Sequence, residues 1–369
     1  MKSSIYLYFL FLSCFGCPTT VEPPENNSKN LKIHWETPIN IIDTPDTPPL
    51  VVDSLIFISG EPSLVAINIQ TGERFWESEI GDGKSINGNV LVNDPINNRI
   101  YAAHNESVII WDIQTGNELY RVNDIAWPFG KNVMLNHGYG IVGDTASAYK
   151  LDFSGNIEQE YNVSMPSNSI AYYNGNIIFT QGKTLNGAST IGRITALSEE
   201  TGDSLWSYNT NHNGFLKSEI DDGVFYSGTS GNSDFYLFMA FDPISGEVIW
   251  EYKSNDPLEY VRNFTIGENQ IFIVSAAYIF ALNKANGSKI WDHKWSGSSR
   301  VNPVYSNGYV YTSNHSSIFI FNALSGELVH EEPQPVGSGY IWKFAISNEY
   351  LFAQTTNLLI AYQPWHLRE

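Results

Sequence analysis

Residues 237–252 read LFMAFDPISGEVIWEY, and this pattern recurs along the chain. It consists of alternating apolar residues, a tight bend that ends in Gly, and a second alternating stretch with an aromatic residue four positions after the Gly. Alternation indicates β-strands, and a Gly that ends a tight bend indicates a backbone with positive φ. The bend glycines are Gly72, Gly116, Gly155, Gly202, Gly246, Gly287 and Gly326.

The spacing of these glycines predicts the fold. Consecutive glycines lie 39 to 47 residues apart, a period that accommodates one four-stranded sheet per repeat and is typical of a propeller blade. Three further strands are predicted within residues 341–363, and a lone strand containing Trp35 precedes the first repeat. These two pieces would complete one sheet from both ends of the chain and leave no exposed edge. We therefore predict an all-β, eight-bladed propeller of four-stranded antiparallel blades, closed by an N-terminal strand that joins the C-terminal blade.

Each position of the repeat has a physical role. An Asp or Asn near the start of the bend can accept hydrogen bonds from the bend's amides. A small Ala six residues before the Gly leaves room for a bulky ring, and an indole can fill that room while its N–H donates a hydrogen bond. The aromatic positions to which we assign this role are Trp35, Trp76, Tyr120, Trp206, Trp250 and Trp291.

With these residues the chain resembles the PQQ-like, quinoprotein-type β-propeller repeat, whose signature is A-x-D-x-x-T-G-x-x-x-W. In that family the Trp docks onto the next blade, so the resemblance implies a blade-docking role for the six aromatic positions. The third repeat carries Gln159 at this position and the seventh carries His330. We expect weaker blade contacts at these two places.

The composition narrows the classes of function. The 369 residues include 20 Lys+Arg and 39 Asp+Glu, which gives a formal net charge of -19. Nucleic-acid binding needs a basic surface, so we expect no nucleic-acid partner. Aromatic residues make up 14% of the chain, enough to build a large core and to exclude general disorder.

The N-terminus predicts export and a lipid anchor. One Lys precedes the apolar run Ile5–Leu12, which is far shorter than the ~20 residues that a bilayer-spanning helix requires. The following FLSCFGC resembles a bacterial lipobox and implies a lipid on either Cys14 or Cys17, with an ordinary secretion signal as the alternative. We expect a signal peptide over residues 1–13 or 1–16, a lipidated Cys with a Pro-rich polar spacer over 14–30, and the propeller over 31–369.

Catalytic, cofactor and metal sites are not expected. Both cysteines lie near the N-terminus, so the rest of the chain has neither a thiol nucleophile nor a disulfide. The eight His residues are scattered, with no pair at metal-ligand spacing. Quinoprotein dehydrogenases share the repeat but need an Asp base, a Ca²⁺ site and an axial disulfide, and fold alone does not establish their activity here.

Aromatic clusters in loops are candidates for a binding face, because aromatic residues and Arg are enriched in interface hot spots. The alternative is that they pack the inner strands near the ring axis. A longer Gly- and Asn-containing segment in the fourth blade is expected to be a mobile loop. The three clusters and this segment are Trp127-Pro128-Phe129, Tyr260-Val261-Arg262, Tyr340-Ile341-Trp342 and Gln181–Ile191.

The lipobox, the short spacer and the compact ring together resemble the BamB family, the lipoprotein subunit of the outer-membrane β-barrel assembly machine. The resemblance implies a non-enzymatic, monomeric scaffold whose partners are other envelope proteins, including the barrel-assembly complex. It also implies a lipid anchor in the outer membrane of a Gram-negative bacterium, on the periplasmic or the cell-surface face. Alternatives are an envelope protein that binds a small ligand, a relative of PQQ-dependent dehydrogenases, and a cell-surface protein that binds polysaccharide.

Overall fold

The computed structural model describes most of the chain after the N-terminal segment. Leu31–Glu369 form one compact unit. The described residues are 30–41, 47–59, 62–80, 91–104, 107–123, 132–136, 139–143, 147–152, 154–163, 165, 167–185, 189–210, 214–230, 236–256, 258–275, 277–295, 299, 301–314 and 316–368.

Backbone hydrogen bonds arrange the described strands into eight four-stranded antiparallel sheets. Seven of these sheets, which we call blades 1 to 7, are each built from four strands that are consecutive in sequence. Blade 1 comprises β2 (Leu50–Val52), β3 (Leu55–Ile58), β4 (Ser63–Asn68) and β5 (Arg74–Glu79), and blade 2 comprises β6 (Leu91–Asp94), β7 (Arg99–His104), β8 (Ser107–Asp112) and β9 (Glu118–Val122). Blade 3 comprises β10 (Asn132–Asn136), β11 (Tyr139–Gly143), β12 (Ser147–Leu151) and β13 (Ile157–Asn162). Blade 4 comprises β14 (Ser167–Tyr173), β15 (Asn176–Leu185), β16 (Ser189–Ser198) and β17 (Ser204–Thr210). Blade 5 comprises β18 (Gly214–Asp221), β19 (Val224–Ser230), β20 (Tyr236–Phe241) and β21 (Val248–Ser254). Blade 6 comprises β22 (Asn263–Ile266), β23 (Gln270–Val274), β24 (Tyr278–Asn283) and β25 (Lys289–Lys294). Blade 7 comprises β26 (Val304–Ser306), β27 (Tyr309–Ser313), β28 (Ser317–Asn322) and β29 (Leu328–Pro333).

The remaining sheet, which we call the closing sheet, draws on both ends of the described chain. Its order is β1 (Ile33–Pro38), β32 (Leu358–Tyr362), β31 (Leu351–Thr355) and β30 (Ile341–Ile346), followed by a short 3₁₀ helix at Trp365–Leu367. The expected count of eight blades is therefore corrected to seven blades of consecutive strands plus this composite closing sheet. The physical reason is that β32 is followed by a 3₁₀ helix at Trp365–Leu367 rather than by a glycine bend and a fourth strand, and β1 pairs with β32 in that place.

The first strands of successive sheets form a continuous ring. Each contacts the next in the order β2, β6, β10, β14, β18, β22, β26 and β30, and β30 contacts β2 again. Because every sheet has neighbours on both faces, middle strands such as β4, β20 and β23 are apolar and buried over most of their length. The core accordingly consists of clusters between adjacent sheets rather than one central cluster, for example between blades 1 and 2 and between the closing sheet and blade 1.

A β-bulge follows the glycine bend in all seven blades. In blade 1, Trp76 lies opposite Ala66 while Arg74 lies opposite Ile67, so Phe75 is the extra residue of the outer strand. A bulge turns one side chain out of the regular alternation, and Phe75 is 54% exposed. The bulge thus directs the following Trp toward the next blade.

Within the segment Gln181–Ile191, expected to be a mobile loop, residues 181–185 and 189–191 instead belong to strands β15 and β16, and residues 186–188 lie outside the described residues. Strands β15 and β16 pair continuously from Asn176 opposite Ser198 to Leu185 opposite Ser189. Thr and Ile residues along both strands favour extended pairing and outweigh the local Gly and Asn content.

Candidate functional site

The glycine bends are the contact points between sheets. In blade 5, the Asp242 carboxylate accepts hydrogen bonds from the backbone N–H groups of Ile244 and Ser245, at 2.8 and 2.7 Å. These bonds lower the pKa of Asp242 below its ordinary value of 3.8, and the bond from the Ser245 N–H has the largest effect. Gly246 closes the bend with φ 74° and donates its N–H to the Asp242 carbonyl at 2.9 Å. The result is a rigid bend whose Gly leaves its outer face free of side chain.

A tryptophan from the preceding sheet lies directly on this face. The indole N–H of Trp206, in blade 4, donates to the carbonyl of Pro243 at 3.3 Å. A Cβ on Gly246 would lie 2.4 Å from the Trp206 ring, closer than real Cβ contacts allow. Hence the ring and the glycine require each other.

The same contact occurs at five sheet junctions, always to the carbonyl three residues before the bend glycine. Opposite each of the five tryptophans in the neighbouring strand lies an Ala, which makes room for the indole. The donors Trp35, Trp76, Trp206, Trp250 and Trp291 reach the carbonyls of Ile69, Ile113, Pro243, Lys284 and Ala323, respectively.

Tyr120 differs from the tryptophans with which the sequence groups it. A Cβ added to Gly155 would lie 3.5 Å from the Tyr120 Cβ. Among the described residues, no ring atom of Tyr120 would come within 4 Å of that added Cβ. The ring instead lies beside Arg99 of its own blade, with the guanidinium carbon 5.5 Å from the ring centroid. The junction between blades 2 and 3 therefore lacks the indole-on-glycine contact.

His330 and Glu332 form a different connection, to the closing sheet. The His330 ring stacks on Trp365 at a centroid distance of 4.8 Å, because the closing sheet has no glycine bend to receive it. Its Nε2 lies 2.9 Å from a carboxylate oxygen of Glu332, which is 6% exposed. That carboxylate also accepts the backbone N–H of Leu31 at 2.5 Å. A buried carboxylate thus holds the chain where it enters the propeller.

The junction between blades 3 and 4 is rebuilt with polar residues. Gln159 occupies the Trp position, and Lys150 lies opposite it where the five tryptophans have Ala. The Lys150 ammonium lies 3.3 Å from Glu199 and 3.8 Å from Glu158. The phenol of Tyr161, two residues beyond the Trp position, donates to the Glu199 carbonyl at 2.9 Å. This is the carbonyl that an indole would reach in the other junctions, and burial raises the pKa of Tyr161 to about 12.

An open cleft of about 670 Å³ lies at this junction. A Cβ on Gly202 would lie 3.5 Å from a ring carbon of Tyr161 and 3.8 Å from the side-chain nitrogen of Gln159, so the Tyr161 ring contacts this bend less closely than the indoles contact theirs. The lining of the cleft includes Lys150, Gln159, Asn174, Gly175, Ser198, Glu199, Glu200 and Leu205. Among the described residues, this cleft is a candidate binding site.

The sequence does not single out Lys150 or Tyr161, although a signal is present. The third bend is one residue shorter than the others, because Gly155 donates its N–H to the carbonyl of Asp152, three residues back, rather than four. Counting from Asp152 instead of from the glycine places Lys150 at the position of the small Ala. The change from Ala to Lys and the change from Trp to Gln then stand out as a pair.

The loop aromatics that we proposed for a binding face have mixed environments. Tyr340 is 59% exposed, whereas Ile341 is buried and Trp342 donates its indole N–H to Thr356. Val261 is buried between blades 5 and 6, and Arg262 donates to the carbonyl of Ser299. Trp127-Pro128-Phe129 lies outside the described residues, as do Cys14 and Cys17.

The described part of the chain offers neither a cluster of potential metal ligands nor a helix that could span a membrane. It contains no group of three or more His, Cys, Asp or Glu side chains placed to hold a metal ion. No helix in that part has the length and apolar character needed to cross a bilayer.

Comparison with known proteins relates this geometry to a family. The family model described as outer membrane protein assembly factor BamB matches residues 27–155 and 160–364. No curated protein sequence matches the chain.

Solved structures share the fold at low sequence identity. BamB from Moraxella catarrhalis is 15% identical, with a TM-score of 0.70 over 90% of this chain and 100% of its own. The computationally designed Ika8 protein is 10% identical, with a TM-score of 0.69 over 90% and 98%. The quinohemoprotein alcohol dehydrogenase ADHIIG from Pseudomonas putida HK5 is 10% identical, with a TM-score of 0.68 over 90% and 76%. Likeness at this level concerns the fold, since related folds carry different functions.

Proposed function

Because the chain belongs to the family of the outer membrane protein assembly factor BamB, we propose that it is a non-enzymatic scaffold for other envelope proteins during outer-membrane protein assembly. The observation that carries this proposal is the family match, which extends over both halves of the propeller, residues 27–155 and 160–364. It is therefore the whole ring, rather than one motif, that relates the chain to a scaffold.

The architecture suits such a role. Successive first strands contact one another around the whole ring, and five indoles fasten neighbouring sheets. A framework that is already rigid loses little conformational freedom when a partner binds to its loops, so less of the binding energy is spent on ordering. The loops can then specify the partner while the sheets hold them in place.

The N-terminal segment supports a lipid anchor. In this proposal either Cys14 or Cys17 carries the lipid, residues up to 30 form a spacer, and the propeller is held at the outer membrane on its periplasmic or cell-surface face. One acyl chain gives only marginal membrane binding, whereas the several chains of a lipoprotein anchor hold a soluble domain stably.

Labelling with a radioactive fatty acid tests the anchor. Cys14→Ser and Cys17→Ser serve as matched variants. We expect one of them to lose both the fatty-acid label and its place in the membrane fraction, and we expect the other to keep the label and the membrane location. Retention of label and location by the double variant would contradict the anchor.

Crosslinking in intact cells followed by capture of the protein from membranes tests the scaffold role. We expect the barrel-inserting subunit of the assembly machine among the captured proteins, and we expect outer-membrane barrel proteins to decrease when the gene is deleted. Dye reduction that depends on added quinone and Ca²⁺ would instead support the dehydrogenase alternative. Capture without the assembly subunit, together with unchanged barrel levels, would contradict the proposal.

A further inference from the structure

Each of the eight described sheets ends in an outer edge strand, and seven of these strands carry a charged residue at the same place. This place is the residue directly after the Trp position. A charge on an edge strand discourages that strand from pairing with another chain. In the closing sheet and in blades 1, 2, 3, 5, 6 and 7 these residues are Glu36, Glu77, Arg121, Glu160, Glu251, Asp292 and Glu331, respectively.

Blade 4 is the exception. Its outer strand β17 has the exposed Ser207 at this place. The strand reads SLWSYNT and contains neither a charged residue nor a proline, whereas every other outer strand contains at least one of these. Blade 4 therefore lacks the features that protect the edges of the other sheets.

The backbone of β17 is open on its outer side. The strand is the last of its sheet, and among the described residues the backbone of residues 204–209 forms hydrogen bonds to β16 alone. In an antiparallel pair, every second residue directs its N–H and C=O away from the neighbouring strand. An edge with such groups is completed by another extended chain.

We propose that β17 pairs with an extended segment of a partner polypeptide, which adds a fifth strand to blade 4. The inference rests on the proposed scaffold role only for the identity of the partner, another envelope protein. Hydrogen bonds between two backbones give affinity without regard to side chains, so selectivity has to come from the surface beside the strand.

The cleft between blades 3 and 4 provides this surface. The rings of Trp206 and Tyr208 in β17 lie against blade 5. Side chains alternate along a strand, so Ser207 between them faces the opposite side, toward blade 3. On that side Leu205, near the start of the strand, lines the cleft. Alternate side chains of an added strand would share the face of Ser207 and point toward the cleft.

The charges specify the occupant. The cleft is lined by the carboxylates of Glu199 and Glu200 and by the ammonium of Lys150, so its net charge favours neutral or basic side chains. A second copy of this chain would bring the same acidic cleft and the same excess of 39 Asp+Glu over 20 Lys+Arg to the interface. The expected occupant is therefore a neutral or basic segment of a different protein, without proline where it pairs.

Peptide selection on the intact protein tests the edge. The probe is a library of random nonapeptides without proline, and deuterium exchange locates the peptides that bind. We expect neutral or basic peptides that slow amide exchange in β17. Their binding should weaken several-fold in Ser207→Glu, which restores the charge of the other outer strands, and should persist in the matched control Ser207→Thr. Circular dichroism and thermal unfolding verify that both variants are folded.

Backbone methylation of a selected peptide separates strand pairing from binding through side chains. Methyl groups on every second amide block one of the two edges of an extended peptide. Methylation of the set that faces β17 should abolish binding, and methylation of the other set should leave it intact. A library without a binder, equal binding to the parent and Ser207→Glu, or equal effects of the two methylated sets would overturn the inference.

Site-specific photocrosslinking in cells tests the source of the added strand. A benzoylphenylalanine in place of Ser207 should form an adduct with another envelope protein, and the crosslinked segment, made as a peptide, should bind the parent better than Ser207→Glu. The same probe in place of Glu251 in blade 5 should form no adduct. An adduct between two copies of this chain, or equal adducts at both positions, would contradict the inference. If no adduct forms at Ser207 while membrane capture still recovers the assembly subunit, the inference fails and the scaffold role stands.

Discussion

Replacing bend glycines by alanine separates two physical effects in this propeller, backbone strain and loss of the docked indole. Gly287 has φ 71°, and a Cβ there would lie 2.4 Å from the Trp250 ring. Gly202 has φ 75° with nothing closer than 3.5 Å, and Gly308 has φ 81° with nothing within 4 Å. The three substitutions therefore share the strain of positive φ, but only Gly287→Ala also displaces a ring.

The expected magnitudes follow from these contacts. A left-handed backbone costs a non-glycine residue ~1–2 kcal/mol, which is the whole effect expected for Gly202→Ala and Gly308→Ala. Overpacking adds ~1–3 kcal/mol. Trp250 is 8% exposed and donates to the Lys284 carbonyl, so its displacement also weakens a hydrogen bond worth ~1 kcal/mol. For Gly287→Ala we expect a loss of ~2–6 kcal/mol.

Guanidinium unfolding of the parent and the three variants, followed by far-ultraviolet circular dichroism, measures these differences. Comparing midpoints at equal slope gives the change in free energy of unfolding. A Gly287→Ala variant that is no less stable than Gly202→Ala would refute the docking argument. Three variants as stable as the parent would refute the argument from backbone strain.

Three further predictions concern individual side chains. Asp242→Asn should leave stability at neutral pH nearly unchanged, because Asn68 makes the same amide contacts in its own bend. In an acid unfolding series the variant should lose less stability than the parent. The lowered pKa of the Asp242 carboxyl gives the parent stability that is present above about pH 4 and is lost as pH falls through the lower folded pKa. Burial raises the pKa of Tyr252 to about 12, and its hydrogen bond to Glu259 is the next cause. The stability that this raised pKa contributes is therefore complete below the ordinary pKa of 10 and is lost as pH rises toward 12. Tyr252→Phe should flatten the stability profile over this alkaline range, and an unchanged profile would contradict the assignment. Glu332→Gln should weaken its bonds to Leu31 and His330 and destabilise the protein by ~1–3 kcal/mol, with faster amide exchange at Leu31, and unaltered exchange would show that the carboxylate does not hold this segment.

The strand order of the fold was largely predictable because local chemistry repeats. Each bend needs a residue that accepts positive φ, and each docked indole needs a small residue opposite it. The Gly and Ala residues that meet these needs therefore recur at regular intervals in the sequence. For residues 181–185 and 189–191 the prediction of a loop was wrong, because it followed the local Gly and Asn content, whereas the pairing of β15 with β16 decided their conformation.

The candidate site could not be predicted in the same way, because it depends on what two blades place together. The sequence by itself determined the repeat, its glycine bends and the absence of a Trp at Gln159. Only the tertiary structure decided that Lys150 lies opposite Gln159, that the Tyr161 hydroxyl donates to the Glu199 carbonyl, and that an open cleft lies at this junction. The physical reason is that alternation and turn chemistry act within a few residues along the chain. The shape of a junction depends instead on side chains that come from sheets about 50 residues apart in sequence, such as Lys150 and Glu199.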